Sequence, residues 1–122
     1  MSTPVRATTR KLGERCCDAD VRPSVGAREA ARLADDLAIV GHPIRMQLLT
    51  VLARAEGRVC VCDLETAVAV KQPTVSHHLR LLREAGLVEV EREGLWAFYY
   101  LDRAALADLR GRIMRGLDSV IG

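Results

Sequence analysis

A chain of 122 residues, 49% of them apolar, is one domain's worth of sequence, long enough to bury a core and too short for two. Its 18 Lys and Arg against 16 Asp and Glu leave a formal charge of +2, so total charge does not by itself argue for nucleic acid. No run approaches the roughly 18 apolar residues of a membrane span, and no apolar signal core opens the chain, which predicts a cytoplasmic protein with no membrane partner.

Residues 1–26 mix Ser, Thr, Pro and charges of both signs without an apolar period and read as an irregular arm carrying Cys16 and Cys17. Residues 27–122 read as the folded domain. From Ala27 to Val40, Ala30, Leu33, Leu37 and Val40 recur at three or four residues and predict a core helix that Gly41 stops. Pro43 opens the next helix, whose buried face is Ile44, Leu48, Leu49, Val51 and Leu52, through about Ala55. Arg45 lies near its start on a more polar side. Glu56 and Gly57 end that helix, and Val59 to Val61 predict a short strand.

A short helix follows from Cys62 to Val68, then a tight connection through Ala69, Val70 and Lys71. The segment from Gln72 to Gly86 has Pro73 suited to a first helical position and Gly86 suited to the left-handed residue past a helix end. Val75, Leu79 and Leu82 make its apolar stripe. Gln72, Thr74, Ser76, His77, Arg80 and Arg83 make the other face, with groups able to reach base edges at the N-terminal end and cations for phosphates beyond. In isolation that pattern is equally an amphipathic surface helix. Two helices joined so closely form a helix-turn-helix, and the runs Leu87–Glu93 and Leu95–Leu101 around Gly94 predict a hairpin wing. The fold class is therefore mainly α with a small β-hairpin, an α+β winged helix-turn-helix. Asp102 then caps a last helix from about Arg103 to Val120, with a stripe of Leu106, Leu109, Ile113 and Leu117 flanked by Met114 and Ile121. Such a stripe has little left to cover inside a small winged helix, so a partner is expected.

These residues resemble the ArsR/SmtB family of metalloregulatory repressors over roughly Leu37 to Leu101. The motifs are Gly41-His42-Pro43-Ile44-Arg45, Val59-Cys60-Val61-Cys62-Asp63-Leu64, Gln72 to Leu79, Glu84-Ala85-Gly86-Leu87-Val88 and Arg92-Glu93-Gly94. Lys71 before Gln72, Leu95 after Gly94, and Glu91 and Glu93 around Arg92 depart from the family pattern. The resemblance implies a homodimer joined through the terminal helices, with two recognition helices about one turn of operator DNA, roughly 34 Å, apart. The expected DNA-contacting residues are Gln72, Thr74, Ser76, His77, Arg80 and Arg92. Enzymatic activity is not expected, since no Cys-x-x-Cys stands near a βαβ pattern.

The four cysteines fall in two close pairs, a spacing that suggests soft-metal ligation or redox chemistry more than structural disulfides. Residues i and i+2 of an extended stretch share a face, so Cys60 and Cys62 can converge on one ion at the entrance to the helix that supports the recognition helix. Nearby helix N–H groups would favour thiolate over thiol. Cys16 and Cys17 would supply the remaining ligands. Thiolate-only ligation selects soft ions, and the resemblance narrows these to As(III) or Sb(III), with Cd(II) or Pb(II) the alternative. A thiol redox or persulfide switch on the same fold, and thiols that bind nothing physiological, remain open. His42 opens a helix, and the consecutive His77 and His78 point about 100° apart and cannot readily chelate one ion; all three read as DNA-contacting or capping groups. The last helix has no His, which argues against a zinc or nickel site there.

Overall fold

The computed structural model describes residues 12–13 and 21–122. Among them, apolar residues at helical spacing form α1 (Ala27–Val40), α2 (Pro43–Arg54), α3 (Val61–Val68), α4 (Gln72–Glu84) and α5 (Arg103–Ile121). The β-branched and aromatic runs form β1 (Val59–Cys60), β2 (Val88–Glu93) and β3 (Trp96–Leu101), an antiparallel sheet in the order β1-β3-β2. The core is a single cluster to which α2 gives Leu48, Leu49 and Leu52, α3 gives Leu64 and Val68, and α4 gives Val75, Leu79 and Leu82. Leu87, Val88, Tyr99 and Leu109 complete it. Each such side chain contributes roughly 1.5 to 3 kcal/mol of burial.

The helix-turn-helix is built by two left-handed residues. Ala69 ends α3 at φ 53°, and its N–H bonds the Glu65 carbonyl, so the chain reverses through Val70 and Lys71 directly into α4. Gly86 ends α4 at φ 80°, where a side chain would be strained; its N–H reaches the Arg83 carbonyl at 2.9 Å and that of Leu87 the Leu82 carbonyl at 3.0 Å. That closure returns Leu87 and Val88 to the core and starts the wing. Glu93 pairs with Trp96, which leaves Gly94 and Leu95 as a two-residue turn with Gly94 at φ 60°.

Several bounds and burials differ from expectation. α1 has the expected span but buries none of its residues; Leu33 and Val40 are half-buried, and Ala30 and Leu37 exposed. The core is filled without it, and α1 lies on α5, where Leu33 meets Gly116 and Arg112 Nε reaches Asp36 Oδ2 at 3.2 Å. β1 ends at Cys60 and α3 starts at Val61, so Cys60 is the N-cap and Cys62 sits in the first turn. α5, capped by the Asp102 carboxylate accepting from the Ala105 N–H at 3.0 Å, runs one residue past expectation. Its stripe divides. Leu109 is buried in the protomer's own core, Leu106 and Ile113 are half-buried, and Leu117, Val120 and Ile121 face outward.

Candidate nucleic-acid interface and thiol pair

α4 presents one face inward and one outward. Val75, Leu79 and Leu82 recur on the inward side, and helical pitch places position 78 among them. The outward side carries Gln72, Thr74, His77, Arg80 and Arg83, all exposed, with Ser76 half-buried at its edge. Gln72 Nε2 donates to Ser76 Oγ at 3.2 Å, one turn apart, and Arg80 Nη2 donates to His77 Nδ1 at 3.2 Å. Of the sequence-predicted contacts, five therefore share one helix. Arg92 stands apart, exposed on β2 opposite Ala97.

The histidines part company. His42 caps α2, its Nδ1 accepting from the Ile44 N–H at 3.1 Å, as expected of a capping group. His78 is neither a cap nor a DNA contact, and that expectation is corrected. It is only 6% exposed, and its ring lies 4.2 Å from that of His42 between centroids. Its Nδ1 and the nearby Arg45 Nε are buried without a hydrogen-bond partner among the described residues. Burial, reinforced by the charges of His42, Arg45 and His77, pushes the His78 pKa below the usual imidazole value. His78 thus links the middle of α4 to the start of α2.

The wing carries an ion cluster that local sequence does not reveal. Arg58, just before β1, places Nη1 3.0 Å from Glu91 Oε2 and 2.7 Å from Glu93 Oε1, while its guanidinium carbon stands 4.5 Å over the Phe98 ring. The guanidinium holds Glu93 below the usual carboxylate range. Arg58 is separated from those partners by 33 and 35 residues, so only the unexplained acids around Arg92 pointed to it.

Cys60, half-buried, and Cys62, exposed, bring their sulfurs to 2.7 Å across the β1–α3 junction. The Cys62 thiol is pushed up, first by its hydrogen bond with Cys60, with desolvation and the Asp63 charge adding to it. The Asp63 backbone N–H at the helix start acts the other way and favours thiolate, while the net direction is upward. The donor chemistry fits a soft thiophilic ion, and the pair offers two ligands. No group of three or more His, Cys, Asp or Glu able to hold an ion occurs among the described residues. Cys16 and Cys17 lie outside the described residues. No helix among the described residues is long and apolar enough to cross a membrane.

Residues 42–90 match the family model described as bacterial regulatory protein, arsR family. The chain is similar to the biofilm growth-associated repressor of Xylella fastidiosa, 35% identical over 94 residues that cover 74% of this chain and 81% of that one. It is 41% identical over 63 residues to the arsenical resistance operon repressor of Escherichia coli, covering 52% of this chain and 53% of the relative. Across the curated relatives named for arsenic or arsenical resistance, the chain spans 41% to 65% of their own lengths. Among solved structures, the AntR antimony-specific transcriptional repressor superposes with a TM-score of 0.57 at 26% identity, covering 91% of this chain and 97% of that one.

Proposed function

From the premise that the chain belongs to the arsR family of bacterial regulatory proteins, as a regulator and not an enzyme, we propose that it holds operator DNA as a metal-free homodimer and lets go when its thiols capture As(III) or Sb(III). The observation that carries this is the sulfur pair, 2.7 Å apart and exposed to the side of Cys62, at the N-cap and first turn of α3. α3 packs directly on α4 through Leu64 and Val68, so strain at its start reaches the DNA-reading helix without an intermediate element. Gln72, Thr74, Ser76 and His77 read base edges, Arg80 holds phosphate, and Arg92 approaches from the wing. Cys60 and Cys62 supply two thiolates, and Cys16 and Cys17 the rest. The similarity to repressors named for arsenical resistance and antimony supports the choice of ion.

A coupling of about 1 to 3 kcal/mol would change operator affinity some 5- to 150-fold. The test is a fluorescent operator duplex, selected in vitro on the metal-free protein, titrated under reducing conditions with arsenite, antimonite, cadmium, lead and zinc. Release at the lowest concentrations of arsenite or antimonite is expected, and its loss in Cys60→Ser and Cys62→Ser proteins that still bind DNA. Stronger release by cadmium or lead would move the assignment to those ions. The sulfur contact also favours a second reading, a thiol redox switch; release by oxidant without any metal, reversed by a thiol reductant, selects it.

A further inference from the structure

Cys60 pairs with Phe98 on one side of β3, and Glu91 pairs with Phe98 on the other. Directly opposed residues of neighbouring strands share a face, and so do residues two apart on one strand. Cys60, Phe98 and Glu91 therefore form one row across the three strands, with Arg58 and Glu93 on the same face. Arg58 closes that row by bridging both carboxylates at 3.0 and 2.7 Å while covering the Phe98 ring. Glu91 and Glu93 thus share a single guanidinium, which offsets one of their two charges, beside Arg92 and the turn at Gly94.

We propose that Arg58 is a positioning residue that couples the Cys60–Cys62 pair to the wing: capture of an ion at the sulfurs shifts β1, opens the Arg58 bridge, and turns two unbridged carboxylates toward the DNA backbone. The proposal rests on the thiolate-sensor reading above. Two thiolates sharing one soft ion cannot stand at the 2.7 Å of this thiol pair, since each bond is about 2.3 Å long and the bonds diverge. Cys60 is the last residue of a two-residue strand, so a shift of its backbone disturbs the Cys60–Phe98 pairing and the guanidinium that lies over that ring. A short strand held by few bonds is also the easiest part of the sheet to displace. Carboxylates brought near phosphate repel it, and the repulsion acts on all DNA sequences alike.

The test uses the full chain as wild type, Arg58→Ala, Glu91→Gln/Glu93→Gln, and the triple combination. Operator affinity and its salt slope are measured by fluorescence anisotropy without ion and with arsenite, and separately with cadmium. Ion loading is followed independently by thiolate-to-ion ultraviolet absorbance. Without ion, Arg58→Ala should bind operator about tenfold more weakly, within the usual range of such couplings, and the triple variant should recover wild-type affinity within about twofold. The Glu91→Gln/Glu93→Gln protein should load ion as wild type does yet lose several-fold less DNA affinity on loading. A triple variant no tighter than Arg58→Ala would overturn the proposal, because Arg58 would then act by touching phosphate or by holding the fold. So would undiminished release by the Glu91→Gln/Glu93→Gln protein at full loading. If the wild type loads neither ion, the sensor reading itself fails, an outcome the absorbance reports apart from the other two.

Discussion

His78 is a polar residue placed where the helix period asks for an apolar one, and its cost depends on pH. Its folded-state pKa lies below the ordinary imidazole value because the ring is buried beside His42, Arg45 and His77. Above about pH 6.5 the ring is neutral in both folded and unfolded chains and contributes no pH dependence. Below it the unfolded chain takes up a proton that the folded chain refuses, so stability falls as pH drops from about 6.5 toward the depressed folded value, by at most about 1.4 kcal/mol per pH unit. Urea denaturation at pH 7.5 and 5.5 should show that loss in the wild type, and a His78→Leu protein should lose measurably less between the same two pH values. An equal loss in both proteins would show that His78 is not the titrating group. On the outer face the sorting is by contact type. Gln72→Ala should relax preference at one base position at about 1 to 3 kcal/mol, whereas Arg80→Ala should weaken all duplexes alike and reduce the salt slope by about one. A selection on random duplexes with salt titration distinguishes the two.

At the scale of elements, local pattern tells which face of a helix is apolar but not what covers it. The bounds of α1 were legible to the residue, since Ala30, Leu33, Leu37 and Val40 mark its period, yet none of its residues is fully buried; it lies mainly along α5, and only Ile39 and Val40 at its end touch the core. The recognition helix, its Gly86 stop and the Gly94 turn were equally legible, because each rests on a residue type with a local conformational reason. The Cys60–Cys62 approach was expected from an extended stretch, but it is made across a strand-to-helix junction, with Cys60 the N-cap and Cys62 in the first turn of α3. What stayed hidden depended on distant partners: the packing of the His78 ring on His42, though helical pitch alone puts position 78 inside, and the Arg58 bridge to β2. The α1–α5 contact supplies its own test. A Cβ on Gly116 would stand 2.6 Å from Leu33 Cδ1, so Gly116→Leu forces the two helices apart. The gain of about 1 kcal/mol in helix propensity is outweighed by overpacking that typically costs about 1 to 3 kcal/mol. Since the core does not include α1, hydrogen exchange should speed up in α1 while the amides of α4 keep their protection. Uniform loss of protection would instead make α1 part of the cooperative core.

At the scale of the molecule, five of the exposed large apolar residues belong to the α1–α5 layer: Leu37, Met114, Leu117, Val120 and Ile121. Next to them an apolar groove of about 490 Å³ runs between α2 and α5, walled by Met46, Leu49, Leu106 and Ile113. The protomer has no further element among its described residues to lay on this face, and a second copy offers the same face in return, as a two-fold interface requires. Leu109 does not belong to it. At 1% exposure, Leu109→Glu would bury a charge inside the protomer and unfold it, whatever the oligomer. Leu117, 40% exposed, and Ile121, 84% exposed, separate the two effects. Leu117→Glu/Ile121→Glu should keep the wild-type helix content and melting behaviour while sedimenting as monomer, where the wild type should sediment as dimer. Operator affinity should then fall by about two orders of magnitude or more, because a monomer loses the gain from engaging two half-sites at once, roughly 34 Å apart. A folded double variant that still sediments as dimer would place the interface elsewhere on the molecule.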